Sequence, residues 1–163
     1  MTREFPIADK ATFIFGHPRS GTTMFRGLLD NHPELVVFPN EMKFFRLTMG
    51  RYDADTFMRY SDLKLVVGGR FTPTDVDVAT FRERLSERLD QAKDPRDALL
   101  AVMASYAEIE PSRGHSKTRW VEKTPGSYFF APLLFGWFDD CRPIWLVRDP
   151  RTVLRSVRKK HPE

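Results

Sequence analysis

The chain is short of cysteine and of long apolar runs, and each shortage excludes something. One cysteine, Cys141, rules out an internal disulfide and a zinc cluster built on thiolates. No apolar stretch approaches the roughly 20 residues that cross a bilayer, so no membrane span is expected. Met1 to Lys10 is mixed and charged and lacks the apolar core of a secretory leader; with the lone thiol, this makes a reducing cytoplasm the expected compartment. His17, His32, His115 and His161 show no metal-ligand spacing, and no Ser-His-Asp pattern stands out, so no metal is expected. Low-complexity tracts and internal repeats are missing too.

What is present suits one globular domain over residues 1–163, with a core rich in its 14 phenylalanines. The net charge of +4 favours anionic ligands, and its placement says more than its size. Between Arg142 and Lys160 stand Arg142, Arg148, Arg151, Arg155, Arg158, Lys159 and Lys160, against Asp149 alone.

The apolar run Thr12 to Phe15 reads as a buried strand, and Thr22 to Asp30 carries Met24, Phe25, Leu28 and Leu29 at helical spacing before Asn31-His32-Pro33. Leu35 to Phe38 is a second buried strand, so a parallel strand–helix–strand unit is expected. Thr80 to Ala92 and Pro95 to Ile109 read as helices, the latter with Leu99, Val102, Met103 and Tyr106 as its apolar stripe. Met49 to Asp77 reads as loops and short helices. Trp120 to Glu122 is a short strand, Tyr128 to Phe138 a helix packed on the sheet, and Pro143 to Val147 another buried strand. Asp149 is placed as the cap and Pro150 as the first residue of a final helix running to about Lys160. Trp120, Trp137 and Trp145 flank strands and are read as core, and Cys141 as a small buried hydrophobe.

Four places along this pattern carry chemistry. The first is Gly-His-Pro-Arg-Ser-Gly-Thr-Thr at 16–23, a loop bracketed by Gly16 and Gly21 between a strand and a helix. Backbone N–H groups and the helix dipole converge there and favour phosphate or sulfate. Arg19 adds paired guanidinium donors, and Ser20, Thr22 and Thr23 add hydroxyls. Nucleotide hydrolases place Lys directly after the second glycine; here Thr22 stands there, with the cation moved inside the loop as Arg19. The second is Arg148, at a strand's C-terminal edge, with Ser156 eight residues on, together able to grip one phosphate. The strand Ile144-Trp145-Leu146-Val147 runs straight into Arg148, where a hydrolase would want a magnesium carboxylate.

The third is Glu41, just past the second strand. From spacing alone it serves equally as a general base or as a helix-start carboxylate favoured by the dipole. The fourth is Glu122-Lys123-Thr124-Pro125, where Lys123 either stabilises developing charge or, the better reading of the bare sequence, is a solvated loop lysine.

In this order, the four motifs resemble those of the P-loop sulfotransferases that use 3′-phosphoadenosine 5′-phosphosulfate. Residues 16–23 resemble the 5′-phosphosulfate loop in its Arg-bearing form, found in many bacterial members and in tyrosylprotein sulfotransferases. Arg148 to Ser156 resembles the 3′-phosphate motif, with the same eight-residue step. Glu41 with Phe44-Phe45, and Glu122-Lys123-Thr124-Pro125, resemble segments of heparan-type and related bacterial enzymes, where the Glu is the acceptor base and the Lys lies near the transferred group. The likeness spans Phe13 to Ser156, with no motif in Met49 to Arg119.

The resemblance implies a three-layer α/β/α fold with a central parallel sheet, like that of the P-loop nucleotide hydrolases. It implies in-line sulfuryl transfer from 3′-phosphoadenosine 5′-phosphosulfate to a hydroxyl or amine of a carbohydrate, small molecule, lipid or tyrosine, with no metal. Glu41, Arg19 and Lys123 would then be catalytic, and Arg19, Ser20, Gly21, Thr22, Thr23, Arg148 and Ser156 would bind the donor. The family usually continues beyond the 3′-phosphate helix, so this chain is expected to be an incomplete domain. A small-molecule P-loop kinase and a non-catalytic basic module for nucleic acid or acidic glycans are the competing readings; the leading one has no nucleic-acid partner.

Overall fold

The computed structural model describes residues 5–30, 32–47, 78–109 and 116–160, so the segment 49–77 lies outside the described residues. The elements run β1 (Ala11–Gly16), α1 (Thr22–Leu29), β2 (Leu35–Val37), α2 (Phe44–Leu47), α3 (Val78–Asp90), α4 (Pro95–Ile109), β3 (Arg119–Glu122), a 3₁₀ helix (Pro125–Phe130), α5 (Ala131–Trp137), β4 (Arg142–Leu146) and α6 (Pro150–Lys160).

The four strands form one sheet in the order β2-β3-β1-β4, and every pairing is parallel. β1 and β2 are therefore parallel, but β3 lies between them, and the strand–helix–strand unit spans a gap that a later strand fills. Alternation along β1 sends Phe13 and Phe15 to one face and Ile14 to the other. The first face meets Phe81 and Leu85 of α3, α4 from Ala98 to Tyr106, and Leu134 of α5. The second gathers Ile14, Val37 and Val121 with Phe25 and Leu29 of α1. Helices thus cover both faces, the arrangement that apolar parallel strands require.

Several expectations are corrected. α4 is buried around its whole girth from Ala98 to Tyr106, Ser105 included, rather than along one stripe. On α1, Met24 and Leu28 are exposed while Thr22 and Arg26 are buried; Arg26 reaches Asp30 at 3.2 Å. The segment expected as one helix from Tyr128 begins as the 3₁₀ turn at Pro125, and α-helical winding starts only at Ala131. Pro132 lacks the N–H that would continue an α-helical ladder into the preceding turn. β4 is an outer strand rather than a buried one, with Trp145 56% exposed and Val147, just beyond its end, 83% exposed. Trp120 is core, as expected, but Trp145 is not. Cys141 is partly buried against the main core, and burial pushes its thiol up to about 11, so it is a poor nucleophile. Among the described residues, no helix is long and apolar enough to cross a membrane.

Candidate active site

Because the strands are parallel, the segments leaving β1, β2, β3 and β4 all emerge at one sheet edge, the usual ligand edge of an open α/β sheet. The four motifs lie on those four segments.

The loop after β1 depends on two glycines for different reasons. A Cβ on Gly16 would lie 2.8 Å from the Leu146 carbonyl oxygen and 3.1 Å from Thr22 Cγ2, so only glycine fits where the end of β1 pairs with the end of β4. Gly21, with φ of +98°, turns the chain into α1, whose Phe25 N–H bonds the Gly21 carbonyl. Between them Arg19 holds φ of +74°, a left-handed conformation rare outside glycine and costing on the order of 1 kcal/mol.

On the β4 side, Arg19 Nε donates to Ser156 Oγ at 2.9 Å, and an Arg148 Nη donates to the Arg19 carbonyl at 3.2 Å. Arg148 and Ser156 thus meet Arg19, more than 120 residues earlier in the chain, beside the loop, and both bonds lie at the surface. Asp149 caps α6 as expected, its carboxylate accepting the Arg151 N–H at 2.8 Å. Its ion pair with Arg151 holds it below the usual carboxylate range. His17, Ser20, Tyr128, Trp145, Val147 and Arg148 border a cavity of about 440 Å³ here.

On the β3 side the lysine reading changes. Lys123 is only 1% exposed and is no solvated loop residue. Its ammonium donates to Glu41 Oε1 at 2.9 Å and to Thr23 Oγ1 at 3.1 Å. Those bonds supply the partners that a buried ammonium needs. Thr23 occupies the loop position whose hydroxyl ligates magnesium in nucleotide hydrolases; here that hydroxyl receives an ammonium. Arg19, Thr22, Thr23, Glu41, Lys43 and Thr124 border a second cavity of about 600 Å³, with Phe45, Phe129 and Phe130 at its apolar end. Phe45 and Phe130 stack with centroids 4.1 Å apart.

Within their motif, Glu122 and Thr124 were given no role from the sequence. Glu122 is 3% exposed, and burial pushes its carboxyl up to about 7 against the pull of the Thr124 hydroxyl and Lys123. Its burial follows from its place at the end of a strand that pairs on both sides, with Phe13 in register opposite, which no local pattern in the sequence signals.

The family model described as "Sulfotransferase family" matches residues 11–161. The chain is similar to a protein-tyrosine sulfotransferase of Drosophila melanogaster, 25% identical over 156 residues, covering 95% of this chain and 26% of the relative. A putative protein-tyrosine sulfotransferase of Caenorhabditis briggsae is 26% identical over 149 residues, covering 91% of this chain and 43% of the relative. The crystal structure of sulfotransferase STF9 from Mycobacterium avium matches with a TM-score of 0.42 and 17% identity, covering 98% of this chain and 49% of that one. The chain therefore spans between a quarter and half the length of these relatives.

Proposed function

The chain belongs to the sulfotransferase family, and on that premise we propose that it moves a sulfuryl group from 3′-phosphoadenosine 5′-phosphosulfate to an acceptor hydroxyl or amine. The observation that supports this most is the meeting of Arg19 with Arg148 and Ser156 on one side of the loop and of Thr23 with Lys123 and Glu41 on the other.

In this reading the loop from Arg19 to Thr23 holds the donor's 5′-phosphosulfate, through guanidinium, hydroxyl and backbone N–H donors. Arg148 and Ser156 hold the 3′-phosphate and fix the donor's orientation. The acceptor oxygen attacks sulfur in line as its proton passes to Glu41. The bond from sulfur to the bridging oxygen breaks, leaving adenosine 3′,5′-bisphosphate. Arg19 and Lys123 face the charge that gathers on the bridging oxygen and the sulfonate. Lys123 holds Glu41 Oε1, which fixes the base at the cleft wall. Sulfuryl carries less negative charge than phosphoryl, so protein cations suffice, and the Lys123 ammonium on Thr23 stands where a hydrolase places its magnesium.

Phe45, Phe129 and Phe130 give the Glu41 cavity an apolar end that suits an aromatic or apolar alcohol, and the named substrate of the insect relative, tyrosine, is of that kind. A reducing compartment such as the cytoplasm suits the partly buried free thiol.

Calorimetry with adenosine 3′,5′-bisphosphate tests the reading. Binding is expected without Mg²⁺ and in preference to ATP; a requirement for Mg²⁺ with preference for ATP would favour a kinase and overturn it.

A further inference from the structure

Two buried side chains at the end of β3 have no part in the transfer as described. The Thr124 hydroxyl donates to Glu122 Oε1 at 2.5 Å, and the same oxygen accepts the Met42 N–H at 3.4 Å. Thr124 Oγ1 in turn accepts the Lys43 N–H at 3.1 Å. Backbone N–H groups only donate, so Lys43 feeds Thr124, and Thr124 passes its own proton toward Glu122.

Met42 and Lys43 directly follow Glu41. Lys43 has φ of +54°, a left-handed conformation that a non-glycine residue holds only when its surroundings impose it. The bonds from the Met42 and Lys43 N–H groups to Glu122 and Thr124 hold the backbone in that conformation. The same β3 end carries Lys123, which holds the Glu41 carboxylate. One short stretch, Glu122 to Thr124, therefore grips both the side chain at 41 and the backbone immediately after it.

We propose that Glu122 and Thr124 form a clamp that positions Glu41, fixing the backbone at residues 42 and 43 so that the carboxylate stays on Lys123 and faces the cleft. Both are positioning residues, acting on the reaction through Glu41. The clamp stands on geometry; its effect on rate rests on the sulfuryl-transfer reading.

The clamp requires an acceptor oxygen rather than a charge. Burial favours the neutral form of Glu122 and Glu41 opposes its ionisation further, while Thr124, Lys123 and the Met42 N–H favour the carboxylate. Either form presents an oxygen to Thr124 and Met42. An amide does the same; a methyl group does not.

Four variants of the whole chain test this: Glu122→Ala, Glu122→Gln, Thr124→Val and Thr124→Ser. Three quantities are followed: kcat, the Kd for adenosine 3′,5′-bisphosphate, and amide hydrogen exchange at Met42 and Lys43. Glu122→Ala and Thr124→Val are expected to speed exchange at both amides and to lower kcat about 100-fold, the cost of a base displaced by about 1 Å. The bisphosphate Kd should stay within about twofold, and Glu122→Gln and Thr124→Ser should return kcat and exchange to within about threefold. Thr124→Val, nearly isosteric, carries the test if Glu122→Ala does not fold. The proposal is overturned if exchange at 42 and 43 does not respond, if kcat ignores faster exchange, if Gln and Ser fail to rescue, or if Kd weakens in step with kcat. A wild-type chain that fails to bind the bisphosphate ends the sulfuryl-transfer reading instead, and amide exchange still decides whether the clamp exists.

Discussion

The two sides of the loop that follows β1 are built on different principles. Toward β3, Lys123, Glu122 and Thr124 are buried and joined by hydrogen bonds to Thr23, Glu41, Met42 and Lys43. Toward β4, Arg19, Arg148 and Ser156 meet at the surface, beside an edge strand whose Trp145 is largely exposed, as is Val147 just past its end. A buried polar group left without partners is costly, so the β3 side is held to one geometry. Exposed bonds contribute little net stability and are screened by salt, so the β4 side is suited to affinity for an anion more than to holding the fold. Chemistry needs the first kind of construction and capture of a charged donor tolerates the second. Substitutions on the two sides should accordingly fail in different ways.

The largest effect is expected at Glu41. Glu41→Gln keeps the shape and a carbonyl oxygen for Lys123 but removes the proposed base, so kcat should fall by about 10²–10⁴ while bisphosphate affinity changes little. Single-turnover rates set beside calorimetry check this. A Glu41→Gln enzyme that keeps its rate would break the comparison, because the buried side would then be only structural.

A smaller effect sharpens the same contrast through pH. Burial raises the Glu122 carboxyl from 4.5 to about 7. Between those values the folded chain keeps a proton that the unfolded chain has released, so stability falls as pH rises from about 4.5 through 7. The ceiling is roughly 3–4 kcal/mol, from about 1.4 kcal/mol per pH unit. Asp149, on the exposed side and held low by Arg151, works in the opposite direction, its stability lost only as pH falls through the acid range. Urea midpoints across pH 5 to 8 should decline in the wild type and flatten in Glu122→Gln. An equal slope in both would mean that some other group carries the dependence.

Legibility in the sequence follows the same division. β1, α1 and α4 show in local periodicity, and the loop at 16–23 shows in its two glycines, because these depend on neighbours in the chain. The cleft was readable because each motif follows an apolar strand and parallel strands share one ligand edge. Strand order was not readable: β3 enters between β2 and β1 from more than 80 residues away, a placement that no local pattern encodes. The exposure of β4 was hidden for a related reason, since an apolar run looks the same at the centre of a sheet and at its margin. The bare sequence favoured a solvated Lys123 because its burial depends on Glu41 and Thr23, 82 and 100 residues away. Glu122 was passed over because a carboxylate beside a lysine looks solvated until both are found inside.

The smallest expected effect is on the exposed side and tests its half of the comparison. An Arg148 guanidinium donates to the Arg19 carbonyl from an exposed position, so Arg148→Ala should leave thermal stability within about 0.5 kcal/mol of the wild type. Its work is taken to be the 3′-phosphate, where one charge-assisted contact at the surface is worth roughly tenfold in affinity. The loss should therefore appear for adenosine 3′,5′-bisphosphate and not for adenosine 5′-phosphate, and should shrink as salt rises. Equal weakening of both nucleotides would mean that Arg148 acts through the Arg19 carbonyl on the loop itself. The β4 side would then be as much a part of the loop's architecture as the β3 side, and the contrast between them would fail.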